Sequence, residues 1–185
     1  MLEWIAGADA GVLLFIQENI RNAVLTPIFT TITMLGDGGI VWIALSLILL
    51  FPRKTRKVGI MSLCALVISL LINNMTLKNL VARIRPYDTV EGLVPLIPRP
   101  WDYSFPSGHT GSSFAAAWVF FRKLPRRLGI PALLLAGLIG LPRLYLGVHY
   151  PTDVLFGVCS GIGSGFMAEL LVNAVCAMVD KRRAS

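Results

Sequence analysis

A chain of 185 residues is one domain's worth of material, and at 55% hydrophobic residues with a mean hydropathy of +0.71 it is too apolar for a soluble globule. The net charge of +7 would ordinarily raise nucleic acid as a partner. Most of the basic residues, however, fall in short loops beside apolar stretches, where they set membrane topology and attract anionic lipid, so nucleic-acid binding is set aside.

The first twenty residues lack the basic start and long apolar middle of a secretory signal and carry Glu3, Asp9 and Glu18 instead, so they are expected to be retained. Leu2, Ile5, Val12, Phe15, Ile16 and Ile20 recur near helical spacing. That pattern predicts an amphipathic interfacial helix over residues 1–21, lying along the cytoplasmic face.

Apolar stretches follow at Asn22–Leu35, Gly38–Phe51, Val58–Leu77, His109–Phe121, Gly129–Leu146 and Val154–Val175. They predict an all-α, polytopic membrane bundle of about six transmembrane helices over residues 22–179, with a basic cytoplasmic tail at 180–185. Residues 1–185 are expected to form a single membrane-embedded domain. The first, second and fourth stretches are only about 14 residues, roughly 21 Å of helix, where a span needs about 20 residues. A thinned bilayer or a re-entrant first pair would also fit these lengths.

Lys and Arg are retained on the cytoplasmic side. Six spans with the N-terminus inside place Arg21, Arg53, Lys54, Arg56, Lys57, Arg122, Lys123, Arg126, Arg127, Lys181, Arg182 and Arg183 there, and leave Lys78, Arg83, Arg85, Arg99 and Arg143 outside. Gly36-Asp37-Gly38-Gly39 and Pro52-Arg53-Lys54 read as tight turns, whereas Lys78 to Ser107 is one long external connection rich in proline. Ala132, Ala136 and Gly140, then Gly157, Gly161 and Gly165, repeat every four residues, which lets helix backbones approach closely in lipid. Cys64, Cys159 and Cys176 lie inside apolar stretches without paired spacing and read as small core residues.

Three clusters carry chemistry: Lys78 with Arg85-Pro86, Pro106-Ser107-Gly108-His109, and Arg143 with His149 and Asp153. The chain holds 2 histidines and both fall within them. Arginine offers planar paired donors to phosphate oxygens and lysine adds a mobile charge. Ser107 is a candidate helix cap, the free N–H groups of the following turn form an anion site, and Gly108 lets a phosphate approach the backbone. Pro151 reads as the first residue of a helix, so Asp153 lies in its first turn within reach of one ring nitrogen of His149. The other nitrogen is then free to attack phosphorus, with His109 as general acid for the departing oxygen and afterwards as base for water. Taken singly, a boundary cation is commonly a snorkelling anchor and a lone histidine an ordinary hydrogen-bonded one. Those readings do not explain why every member falls at one membrane face.

Lys-x6-Arg-Pro, Pro-Ser-Gly-His and Arg-x5-His-x3-Asp resemble the three signature motifs of the type 2 phosphatidic acid phosphatase family of integral-membrane lipid phosphatases. The resemblance runs from the third span through the sixth. It implies a metal-independent phosphatase without cofactor, with its site at the extracytoplasmic edge of the bilayer. Lys78, Arg85 and Arg143 would bind phosphate with Ser107 and Gly108, His109 would be the acid, His149 the nucleophile and Asp153 its partner. Pro142 stands where the third motif commonly begins with Ser, which puts a hydroxyl contact to phosphate in doubt.

A site at the bilayer edge favours a lipid phosphate substrate. The leading expectation is undecaprenyl pyrophosphate in the inner membrane of a bacterium, with phosphatidylglycerol phosphate and phosphatidic acid close behind. A lipid phosphotransferase would use the same phosphoenzyme, and a vanadium haloperoxidase resembles the same motifs but expects a soluble, larger chain. Arg83 and Arg99 are spare external cations for a second phosphate or plain solvated charges. Trp101, Tyr103 and Phe105 read as an interfacial aromatic anchor, or as the lining of the lipid's entrance. Oligomeric state is not legible.

Overall fold

The structure, a computed structural model, describes the backbone of residues 2–184 and the side chains of residues 4–182. Met1 and Ser185, the outermost residues of the expected interfacial helix and basic tail, lie outside the described residues, as do the side chains of Leu2, Glu3, Arg183 and Ala184. The elements in chain order are α1 (Leu2–Asn19), α2 (Leu25–Met34), a 3-10 turn (Asp37–Gly39), α3 (Ile40–Leu50), α4 (Arg56–Ser69), a π-helical stretch (Leu70–Leu77) and α5 (Lys78–Val81). A 3-10 turn (Pro86–Asp88) then precedes α6 (Gly108–Lys123), α7 (Arg126–Gly140), α8 (Pro142–Tyr145) and α9 (Pro151–Ala184). The all-α bundle is as the hydropathy pattern predicts.

Helix α6 is the hub. It packs against α4, α7 and α9 through Ala115, Ala116, Ala117 and Val119, which are buried with Ala132, Ala136 and Ile139 of α7 and Ala168 of α9. The small residues of α9 make that approach possible: a Cβ on Gly161 would lie 2.5 Å from the Gly111 carbonyl oxygen, and one on Gly165 would lie 2.9 Å from that of Ala115. Trp42 of α3 donates from Nε1 to Ser113 Oγ of α6 at 2.9 Å, so the hub's hydroxyl is satisfied inside the bundle. This position explains why the fourth apolar stretch is short. A helix wrapped by other helices need not match the hydrocarbon layer with its own side chains.

The stretches Arg56–Asp88, Arg126–Tyr145 and Pro151–Arg182 are each long and apolar enough to cross a membrane. The first two predicted spans, in contrast, are halves of one bent pair, Leu25–Met34 with Asp37–Leu50, kinked by 46°. Gly38 and Gly39 make the break by taking left-handed φ values of 58° and 70°. The direction of the pair follows from its neighbours. Asn22 and Thr26, at the start of α2, bond the Tyr145 hydroxyl at the end of α8. At the other end of the pair, Thr55, just before α4, donates from Oγ1 to the Leu49 carbonyl oxygen near the end of α3 at 2.9 Å. The pair therefore runs from one end of the bundle to the other and, taken as one span, supplies a fourth crossing.

Helix α1 lies at the opposite end from the one expected. Its inward row of Asp9, Leu13 and Ile16 docks on Arg83, Leu93, Tyr145 and Tyr150. Arg21, expected among the cytoplasmic cations, donates to the carbonyl oxygens of Tyr145 at 2.8 Å and Val94 at 2.6 Å. The physical reason is the burial of Asp9, 3% exposed, whose charge requires a cation, and Arg83 in the connection between α5 and α6 supplies it.

Candidate active site

The cations arrive from two directions. Helix α4 passes into the wider π-helical stretch, a form common at functional sites, which delivers Lys78 to the interior at 6% exposure. Ala82, with a φ of 48°, then turns the chain out of α5. Arg85 is extended at φ −73°, ψ 151°, as a residue before proline prefers, and donates from Nη1 to the Val148 carbonyl oxygen at 2.6 Å. Arg143 comes from α8, whose first residue is Pro142, and its Nη1 donates to Thr33 Oγ1 of α2 at 2.9 Å.

The start of α6 presents His109. Ser107 is the predicted cap: its Oγ accepts from Thr110 Oγ1 at 3.0 Å and from the Thr110 N–H at 3.5 Å. That role turns its side chain toward Thr110, and Ser107 does not line the cavity described below, whereas Gly108 does. A Cβ on Gly108 would meet Asn74 Nδ2 at 3.1 Å. His109 Nε2 is 2.8 Å from Asp37 Oδ1 and 3.5 Å from Arg143 Nη1. The ring also packs on Gly36, where a Cβ would come within 2.6 Å of His109 Cδ2.

His149 stands on the short connection between α8 and α9, 2% exposed. Its Nε2 lies 3.4 Å from Arg85 Nη1, and its Nδ1 lies 3.5 Å from Asp153 Oδ2, the outer limit of a hydrogen bond. Asp153 is held from all sides: Oδ2 accepts from the Tyr150 N–H at 2.9 Å and from Ser104 Oγ, and Oδ1 accepts from Arg83 Nη1 at 2.7 Å. Burial above all, helped by the charges of Arg85 and Arg143 and opposed by Asp153, holds the His149 pKa down at about 3, so the ring is neutral near pH 7.

One cavity of about 640 Å³ joins Lys78, Arg85, Gly108, His109, Arg143 and His149. From that polar end it continues along Ile43 of α3 and Leu63, Leu66, Val67 and Leu70 of α4 and its extension. Distant stretches of chain thus converge, with two motif residues outside the lining: Asp153 stands behind His149, and Ser107 caps α6.

Several partners had no legible signal in the pattern. Asp102 bonds both Lys78 and Arg85, and burial, which would raise its pKa, is outweighed by the hydrogen bond and charge of Lys78 and then by Arg85, so its pKa is lowered. Arg83 is committed to Asp9 and Asp153 and lies 3.7 Å over the Tyr150 ring, which removes it from the role of spare cation for a second phosphate, while Arg99 pairs with Asp88 at 3.1 Å on the exposed surface, outside the cavity lining. The aromatic trio divides. Trp101 is 99% exposed at the cavity rim, while Phe105 packs on Phe156 of α9 with ring centres 4.7 Å apart. Among the described residues no group of three or more His, Cys, Asp or Glu side chains converges as metal ligands.

Buried cations and two imidazoles around a cavity at one end of a membrane helix bundle define a membrane enzyme built to handle phosphate. The sequence profile of the PAP2 superfamily matches residues 59–175, and the chain belongs to that superfamily. It is 34% identical over 128 residues to the undecaprenyl-diphosphatase of Sulfolobus acidocaldarius, covering 69% of this chain and 62% of the length of that protein. It is 32% identical over 163 residues to phosphatidylglycerophosphatase B of Bacillus subtilis, covering 81% of this chain and 76% of that one. The crystal structure of Aquifex aeolicus LpxE is similar with a TM-score of 0.75 at 30% identity, over 85% of this chain and 92% of that chain. The chain is an integral membrane protein and a hydrolase of phosphoric esters.

Proposed function

We propose that the protein removes the terminal phosphate of a membrane lipid at the extracytoplasmic face of a bacterial inner membrane through a phosphohistidine, with undecaprenyl pyrophosphate as the leading substrate. Phosphatidylglycerol phosphate and phosphatidic acid are the next candidates. The observation that carries this reading is the continuity of the cavity, which leads from the buried cations and imidazoles to an apolar groove on α3 and α4. A lipid can keep its tail in such a groove while its phosphate meets Lys78, Arg85 and Arg143. The outward orientation is supported by the opposite end of the bundle, where Arg53, Lys54, Arg56, Lys57, Arg122, Lys123, Arg126, Arg127, Lys181 and Arg182 gather.

In this mechanism His149 Nε2 attacks phosphorus, and the bond to the leaving lipid oxygen breaks as His109 gives that oxygen its proton. Water then attacks the phosphohistidine, His109 takes its proton, and His149 leaves as neutral imidazole with inorganic phosphate released. Acid–base catalysis contributes roughly 10^2 to 10^4 in rate. Hydrolysis of a phosphate monoester needs up to about 10^21, so the larger part must come from the cations and the start of α6 acting on the transition state. No step requires a metal.

The test is phosphate release from a panel of lipid mono- and diphosphates by detergent-purified protein, with EDTA and His149→Ala in parallel. Release that survives EDTA and is lost in His149→Ala is expected. Activity abolished by EDTA, or undiminished in the variant, overturns the mechanism.

A further inference from the structure

Two of the three cations assigned to phosphate already hold an anion. Asp102 reaches Lys78 Nζ through Oδ2 and Arg85 Nη2 through Oδ1 at 2.5 Å, and its backbone oxygen accepts from Arg85 Nε at 2.8 Å. Lys78 and Arg85 are 6% and 4% exposed, so these charge-assisted bonds are little screened by salt. Two oxygens on one centre, one to each cation, is also the grip expected for a phosphate. The Asp102 side chain is itself 30% exposed, with Pro98, Arg99, Trp101 and Tyr103 exposed around it, so its carboxylate can swing out to water while the Tyr87 bond to the Pro100 oxygen and buried Ser104 hold the backbone in place. Asp37, bonded to His109 Nε2 at 2.8 Å, adds a second carboxylate to the cavity wall.

Resting on the function proposed above, we infer that Asp102 is a specificity-determining residue, an internal carboxylate that a substrate must displace from Lys78 and Arg85, so that a dianionic terminal phosphate is admitted and a monoanionic phosphodiester headgroup is turned away. The need for such a device follows from the setting. Bulk membrane lipids offer the same tails at the same depth and vastly outnumber a lipid phosphate, and an apolar groove cannot tell them apart. Charge can. A phosphodiester carries the same single charge as Asp102 and gains nothing electrostatically by exchange. It also competes against a group tethered in place, whose effective concentration is of millimolar order. A dianion brings a second charge and a third free oxygen, enough to engage Arg143 as well. Rejection of the wrong ligand is thus built from a competitor within the protein rather than from better contacts to the right one.

Purified wild type, Asp102→Asn and Asp102→Glu are to be compared in two measurements. The first is calorimetric binding of inorganic phosphate, which needs no turnover. The second is hydrolysis of a lipid phosphate in micelles with rising phosphatidylglycerol. Asp102→Asn is expected to bind phosphate about tenfold tighter, one power of ten for about 1.4 kcal/mol of relieved competition, and to become inhibited by phosphatidylglycerol. Wild type and Asp102→Glu are expected to resist that lipid. Unchanged or weaker phosphate binding in Asp102→Asn, or equal inhibition of wild type by phosphatidylglycerol, overturns the inference. The wild-type arm holds even if Asp102→Asn does not fold. Tighter phosphate binding in a protein that hydrolyses no lipid phosphate would instead overturn the proposed function and leave the role of Asp102 at the anion site standing.

Discussion

One guanidinium joins the carboxylate behind His149 to the first helix: Arg83 Nη1 lies 2.7 Å from Asp153 Oδ1, and Arg83 Nη2 lies 2.7 Å from Asp9 Oδ2. Asp153 is wholly buried, and among the described residues Arg83 is its only cationic side-chain partner, since the His149 ring is neutral. Arg83 is therefore a positioning residue. Arg83→Gln is expected to lower kcat by roughly 10^2-fold, the scale set by a displacement of about 1 Å at a reacting group. KM should change little and Arg83→Lys should recover part of the loss. Steady-state kinetics of the three proteins checks this, and a change confined to KM would contradict it.

The depressed His149 pKa makes a statement about stability. The folded ring takes a proton only near pH 3, whereas the unfolded ring does so at its ordinary value of 6.5. Between these values the unfolded state binds more protons, so folding stability falls as pH is lowered below 6.5. Thermal unfolding in detergent is expected to show a steeper loss of apparent Tm from pH 6.5 to pH 4 in wild type than in His149→Gln. Parallel curves would mean that the ring is already charged in the fold.

Arg143 is 3% exposed, and among the described residues its partners are the Thr33 hydroxyl at 2.9 Å and, more distantly, His109 Nε2 at 3.5 Å. Thr33→Val keeps the shape and removes the acceptor, leaving a buried donor short of a partner at a cost of about 1–3 kcal/mol. A KM for the lipid phosphate raised by roughly 5- to 150-fold is expected on that scale, with the larger part of kcat retained. Loss of kcat at unchanged KM would place Thr33 in the chemistry instead.

Gly161 meets the backbone of α6 so closely that an added Cβ would lie 2.5 Å from the Gly111 oxygen. Overpacking of this kind costs about 1–3 kcal/mol. Gly161→Ala is expected to lower the apparent Tm clearly, while Gly163→Ala on the open face of the same helix, where nothing lies within 4 Å, leaves it unchanged.

The residues that converge at the site were legible because their chemistry is local. Ser107 before a helix start, Pro151 opening another with Asp153 in its first turn, and a proline after Arg85 each dictate nearby backbone geometry that the fold reproduces. The four-residue spacing of Gly157, Gly161 and Gly165 likewise announced a close helix contact. What escaped the pattern depends on direction and on distant partners. Hydropathy measures how much apolar chain there is, not which way it runs, so two short stretches flanking Gly38 and Gly39 read as two spans or a re-entrant pair, and the 46° bend that joins them was not legible. Asp9 finds its cation 74 residues away, and nothing near it in sequence tells which end of the bundle it seeks. Asp102 looked like one more polar residue in a proline-rich loop until the fold set it on Lys78 and Arg85.

Because α1 docks at the pocket end of the bundle and α9 starts there and runs 34 residues away from it, the two ends of the described chain lie at opposite ends of the molecule. In sealed vesicles, a protease added from one side should trim an epitope at one terminus and spare the one at the other.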